Sequence, residues 1–277
     1  MKEKLNILII IGLFYSIFSV DFTEYRDYPA CRLGRLQSPI EIKETNSTYS
    51  NDFSFVYQNY KSFTINLNDL GYAYSSGDIK GGGYINFERG GVIKQYELIR
   101  IDIHPGLHPI DRITSNYEVH LVHKKNLDFI TNKNQYRSIQ DANMNLIVVL
   151  RYSEEDQCIN NETIICTSDN GLLENLKNGG DFNLNKYPIF QDKRAFLYEG
   201  ASLHIPCDEN VNYYVVKDIF SKENSIDLKR VDNHTIKISN PFDRPIYKNF
   251  MNYREVMKSN IISVKILLLF LLIIILF

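Results

Sequence analysis

The stretch from Tyr84 to His104, YINFERGGVIKQYELIRIDIH, is rich in β-branched and aromatic residues and is punctuated by glycine. Such a segment favours extended backbone, because branched and aromatic side chains pack well on a pleated surface. The same texture recurs in SFTINL, YEVHLVH, NLIVVLRY and NYYVVKDIF, each bounded by Gly, Asn or Asp. One helix is expected, in SDNGLLENLKNGG, where Ser168 or Asp169 caps a Leu172–Leu173–Leu176 stripe and Gly179 ends it. No repeat of 20–50 residues and no Pro/Ser-rich linker divides the chain. The expectation is therefore a mainly β protein with one domain over residues 21–256.

The two ends read differently. Lys2 and Lys4 precede an apolar run from Leu5 to Phe18, after which Ser19 and Val20 give way to polar sequence. Residues 1–20 have the layout of a secretory signal peptide, and an uncleaved membrane anchor is the alternative. Residues 257–277 end in twelve apolar residues, Ile266 to Phe277. That is shorter than the ~20 residues that span a bilayer. The tail reads as a lipid-anchor (GPI-type) signal accepting at Ser259 or Asn260, or as a short membrane anchor. Both ends point to the secretory pathway and to a cell-surface or extracellular, membrane-tethered protein.

An oxidising compartment makes disulfides the default reading of the four cysteines. Cys158 and Cys166 flank a short polar loop and suit a local bridge, which leaves Cys31 for Cys207. Closing so long a loop is worth about 4–5 kcal/mol in a chain-entropy account, less any strain. Glycosylation sequons at Asn46, Asn161 and Asn233 fit the same compartment. The net charge of −2 argues against a nucleic-acid-binding surface.

Of six histidines, His104, His108, His120 and His123 fall within twenty residues. The HxxxH spacing of His104 and His108 cannot lie on one helical face, because Pro105, Gly106 and Pro109 interrupt it. Strand alternation groups other residues. Arg100, Asp102 and His104 share one face of RIDIH, and Glu118 and His120 share one face of YEVHLVH. If these strands are neighbours, Asp102, His104 and His120 converge as a candidate metal site, with Arg100 and Glu118 behind them. A competing arrangement is an Arg100–Asp102 ion pair in place of a metal cation. His123 points to the same side as Leu121 or sits at a strand end and is expected to be a satisfied surface histidine, and His234 to be solvent-exposed.

QSPIEI (37–42), YEVHLVH (117–123), IPCDENVNYYV (205–215) and RPIY (244–247) resemble, in order, the signature segments of α-class carbonic anhydrases. The resemblance implies a large, twisted, mostly antiparallel central sheet with a few short helices, and it matches the Cys31–Cys207 pairing. It also implies zinc held by three histidines, for which this chain offers Asp102, His104 and His120. Glu118 would orient His120, and His108 would be structural, meeting Glu118 and Tyr198.

The resemblance is degenerate where catalysis needs it. The threonine and glutamate that pass the hydroxide proton correspond to Leu203 and Leu107, and hydrocarbon neither accepts nor orients a proton. The shuttle histidine corresponds to Tyr72, and His204 does not rebuild the relay. The expectation is a divergent, carbonic-anhydrase-related pseudoenzyme, with zinc absent or weakly bound, that recognises an extracellular ligand or protein. The alternative is a zinc-dependent carbonic anhydrase acting on CO2 and bicarbonate through an Asp/His/His site.

Overall fold

The computed structural model of the chain describes residues 36–65, 75–126, 145–154, 166–168, 170–178, 180–187, 193–203, 207, 209–222 and 244–251. These residues are mostly strands: β1 (Thr48–Tyr49), β2 (Phe53–Tyr60), β3 (Phe63–Ile65), β4 (Ser75–Asp78), β5 (Gly83–Arg89), β6 (Val92–Pro105) and β7 (Tyr117–Lys125). They continue as β8 (Asn145–Glu154), β9 (Cys166–Ser168), β10 (Gly180–Phe182), β11 (Ala195–Gly200), β12 (Val211–Lys222) and β13 (Tyr247–Lys248). An 11-stranded sheet runs in the order β1-β13-β11-β12-β8-β7-β6-β5-β2, with β4 also on β6 and β9 also on β12. Most pairings are antiparallel. The parallel ones are β8–β12, β9–β12 and β1–β13.

YINFERGGVIKQYELIRIDIH folds as the β5–β6 hairpin, turning at Gly90 and Gly91 with φ of 57° and 75°. Glycine adopts that left-handed backbone without a Cβ clash. The expected helix is α1 (Leu172–Asn178), and its leucine stripe is buried at Leu172, Leu173 and Leu176. Burying each such side chain is worth ~1.5–3 kcal/mol relative to exposure. Asp169 and Gly179 lie outside the described residues. Strands β1, β2, β4, β9, β10, β11 and β13 were not among the sequence expectations, the longest of them being β2 (FSFVYQNY) and β11 (AFLYEG).

The central strands separate two cores. One face carries Ile101, Ile103, Val119, Leu121, Val148, Leu150, Leu197 and Tyr214, packed with α1. The other carries Val122, Ile147, Val149, Phe196, Tyr198, Tyr213 and Val215, covered by Ile40, Ile42, Ile110 and Ile246. Because alternate residues of a strand point to opposite faces, Arg100, Asp102, His104, Glu118 and His120 all belong to the second face.

The segments behind the family resemblance meet around this second face. Ser38 Oγ accepts from Ala201 N at 3.2 Å. Arg244 donates to the carbonyls of Gln37 (2.9 Å) and Glu199 (3.1 Å). QSP, RPIY and β11 are thereby tied into one corner. A Cβ on Gly200 would sit 2.1 Å from Ser38 Oγ, so this close approach requires glycine.

Candidate functional site

The antiparallel register of β6 and β7 sets Asp102 opposite His120, His104 opposite Glu118 and Arg100 opposite Val122. A bulge between Leu98 and Arg100 resets the alternation just before the site. On the far side of β7, Glu118 faces Arg151 and His120 faces Val149. The expected residues are thus on adjacent strands and one face. Asp102, His104, Glu118 and His120 are each at most 1% exposed. The rings of His104 and His120 are 4.6 Å apart between centroids.

Two carboxylates organise the site. Asp102 receives Arg100 Nε at 3.0 Å on Oδ1 and 3.1 Å on Oδ2, and the Arg100 side chain is 23% exposed. Glu118 is held more fully. Its Oε1 accepts from the backbone N–H groups of Leu107 (3.0 Å) and His108 (2.7 Å). Its Oε2 accepts from His108 Nδ1 (2.7 Å) and His120 Nε2 (2.9 Å). His108 Nε2 in turn meets the Tyr198 hydroxyl at 2.8 Å, and Tyr198 stacks on Tyr213 with centroids 4.9 Å apart.

These contacts set the protonation states. Burial works to raise the Glu118 pKa, but the charge of His108 and the hydrogen bonds from His108 and His120 outweigh it and hold Glu118 well below the usual carboxylate range. Burial lowers the His120 pKa, and the Glu118 hydrogen bond only partly opposes this. His120 is then a neutral ring whose Nε2–H donates to Glu118 and whose lone pair is on Nδ1. Tyr198 is pushed well above the ordinary tyrosine value by burial, reinforced by Tyr213.

Sequence reasoning missed Arg151, which is 2% exposed and opposite Glu118. It donates to the carbonyls of Ile113 (2.7 Å) and Lys217 (3.1 Å), and burial lowers its pKa to about 10, opposed by Glu118. The signal was present in NLIVVLRY, where one arginine interrupts an apolar run. Tyr213 and Ser38 were also missed as supports, although both lie in the quoted segments.

His123 corrects an expectation. It is fully buried on the Leu121 face, where Nδ1 donates to Leu121 O at 2.9 Å and Nε2 accepts from Tyr60 OH at 2.8 Å. The side-chain period of 2 puts it on the Leu121 side, one of the two expected placements, and that side is core instead of surface. Leu107 is buried, and its backbone N–H serves Glu118. Leu203 is half-buried, and Asn46 is exposed in a short 3-10 turn. Cys166 lies in β9, and Cys207 is buried. Tyr72, His204, His234, Cys31, Cys158, Asn161, Asn233 and both chain ends lie outside the described residues. Among the described residues, no helix is long and apolar enough to cross a membrane.

The donors do not fit a zinc ion as they stand. Among the described residues, the donor trio whose atoms all lie within 4.8 Å of one another is His108, Glu118 and His120. Its members are hydrogen-bonded to each other, and the second nitrogen of His108 is engaged by Tyr198. A metal there would have to displace those bonds inside a closed core. The expected trio of Asp102, His104 and His120 has a different obstacle. Both oxygens of Asp102 face a permanent guanidinium cation, which a dication at ~2 Å from the same carboxylate would repel.

Comparison with known proteins gives a consistent picture. The sequence model described as eukaryotic-type carbonic anhydrase matches residues 23–264. No curated protein matches by sequence. A solved structure titled as dioscorin complexed with ascorbate superposes with a TM-score of 0.59 at 16% identity. That likeness covers 82% of this chain and 91% of that one, and it reports on the fold.

Proposed function

The chain belongs to the eukaryotic-type carbonic anhydrase family, and from that premise we propose that it is a member without hydratase activity that serves as a secreted, membrane-tethered binding module. The observation that carries this reading is the Arg100–Asp102 ion pair at 3.0 Å. The guanidinium supplies the positive charge that Asp102 needs when buried, and the zinc-hydroxide chemistry of the family has no place to start. The positions that would relay the hydroxide proton are Leu107 and Leu203, which cannot carry it.

What remains is a scaffold whose central network stands without a metal. Glu118 has four hydrogen-bond donors of its own, from Leu107, His108 and His120. The dioscorin complex with ascorbate is a precedent for ligand binding on this fold. Secretion and tethering are supported by the apolar runs Leu5–Phe18 and Ile266–Phe277. Export makes Cys31–Cys207 and Cys158–Cys166 the disulfides. It also makes Asn46, Asn161 and Asn233 the glycan sites.

The test is a stopped-flow CO2 hydration assay on the purified chain with zinc supplied. The expected result is the buffer rate. Hydration well above it, blocked by a zinc-directed sulfonamide and abolished by His120→Ala, would show instead an active Asp/His/His enzyme.

A further inference from the structure

We propose that the outer face of β2, β5 and β6 binds a neutral oligosaccharide. The inference rests on the binding-module reading above and deepens it by naming a partner class and a surface. Three strands contribute to the face, so no single segment of the sequence announces it. The β2–β5 and β5–β6 registers align Tyr57, Asn86 and Gln95 in one row and Asn59, Tyr84 and Glu97 in the next. Directly paired residues share a face, and this one lies opposite the face that buries Ile85, Phe87 and Tyr96.

A bulge in β2 sets the arrangement. Phe55 pairs with Phe87 on the core side, and regular alternation would send Tyr57 the same way. The register shift between Phe55 and Tyr57 turns Tyr57 outward instead, opposite Asn86, where it is 53% exposed. The Tyr84 ring stands 6.2 Å from it between centroids, inclined at 47°. The amides around these rings are held in place. Asn126 Nδ2 donates to Gln95 Oε1 at 2.9 Å, and Gln95 Nε2 donates to Asn86 Oδ1 at 3.3 Å. Asn59 Nδ2 reaches the Tyr84 hydroxyl at 3.5 Å. Among the described residues, the Asn86 Nδ2 donors and the Asn59 Oδ1 acceptor are left for a ligand.

Exposed rings, held amides and carboxylates together suit a sugar. A pyranose offers a face of C–H groups, which lie against the electron-rich face of a tyrosine, and hydroxyls that both donate and accept. Amides fixed before binding lower the ordering cost. Charge decides against other polymers. The face carries Glu88 and Glu97, with Asp52 beyond one end of β2, against Lys124, opposite Glu97, and Lys61 beyond the other end. Lys94 and Lys125 pair with Phe87 and Tyr96 and belong to the core side, and Asp78 and Lys80, on the approach to β5, offset each other. Without a cationic excess the face does not hold a sulfated chain, a nucleic acid or an anionic lipid. Its exposed aliphatic side chains are Val56 at the bulge and Ile93 on β6, short of the apolar centre that a protein partner needs.

The test is isothermal titration of the purified chain with chitohexaose, cellohexaose and mannohexaose, and with a heparin hexasaccharide as the polyanion. Binding of at least one neutral hexasaccharide is expected, equal at low and high salt. Tyr57→Ser and Asn86→Ala should each weaken it about tenfold while the melting temperature holds. Tyr49→Ser, which removes an exposed tyrosine on β1, should leave it intact. The side-chain amide resonances of Asn59 and Asn86 in the unsubstituted protein should shift as the sugar is added. No binding of any neutral hexasaccharide, binding of heparin alone, or binding with those resonances unmoved would overturn the proposal. Each of these results leaves the binding-module reading standing, since that reading falls to hydration above the buffer rate.

Discussion

Asp102 and Glu118 are carboxylates on neighbouring strands and the same face, yet they are stabilised in opposite ways. Glu118 is closed on all sides by two backbone N–H groups and two imidazoles. Asp102 is paired with Arg100, which is itself partly exposed. A buried carboxylate closed by neutral and backbone donors is self-sufficient, whereas one matched to a counter-ion that solvent reaches is more easily uncovered. On the proposed reading, the contrast explains how the site keeps its fold with no metal: the half around Glu118 is closed by its own donors, and the half around Asp102 has a cation in Arg100.

The sharpest way to break this contrast is Glu118→Ala. It strands His108, His120 and two backbone donors in a dry core, and should cost ~3–5 kcal/mol in urea unfolding. A loss below ~1 kcal/mol would mean that the network is not structural.

Arg100→Gln should cost less, ~1.5–3 kcal/mol, because Arg100 is partly solvated and the lost contact is a single charged hydrogen-bonded pair. The same variant removes the cation that competes for Asp102. It should therefore take up cobalt(II) with a visible tetrahedral absorption band that Arg100→Gln/His120→Ala does not show. A band of equal strength in the unsubstituted protein would contradict the role assigned to Arg100.

Acid sharpens the comparison further. Glu118, with its pKa depressed, keeps its contribution above the unfolded carboxylate range and loses it only as pH falls through its lower folded value. The earlier acid loss comes from buried histidine on the opposite face. Burial lowers the His123 pKa to about 4, so the unfolded chain binds that proton first. Stability should fall as pH drops from ~6.5 towards 4, by about 2 kcal/mol on reaching pH 5. His120, lowered by burial as well, adds in the same direction. His123→Gln should flatten this slope in pH-dependent melts, and an unchanged slope would assign the loss elsewhere. The smallest effect is expected of Leu203→Thr, which restores one polar group at a half-buried position. It should shift stability by no more than ~0.5 kcal/mol and leave hydration at the buffer rate.

Much of this was legible in the sequence because strand alternation is a strict code. RIDIH and YEVHLVH place Arg100, Asp102, His104, Glu118 and His120 on one face once the two strands are adjacent. The leucine stripe of α1 was equally readable. The strands β2 and β11 were not, since FSFVYQNY and AFLYEG mix polar and apolar residues without a clean period. Arg151 and His123 were misjudged or missed because burial of a polar group depends on partners from distant segments, Ile113 and Lys217 for one and Tyr60 for the other. The choice between a metal and an ion pair at Asp102 needed a distance as well as a register.

The central claim, that the Arg100 guanidinium holds the place a zinc ion would need, is tested most directly by the metal content of the purified chain after equilibration with excess zinc and removal of the unbound ion. The account predicts no stoichiometric zinc in the unsubstituted protein. One zinc per chain, lost on His120→Ala, would contradict it.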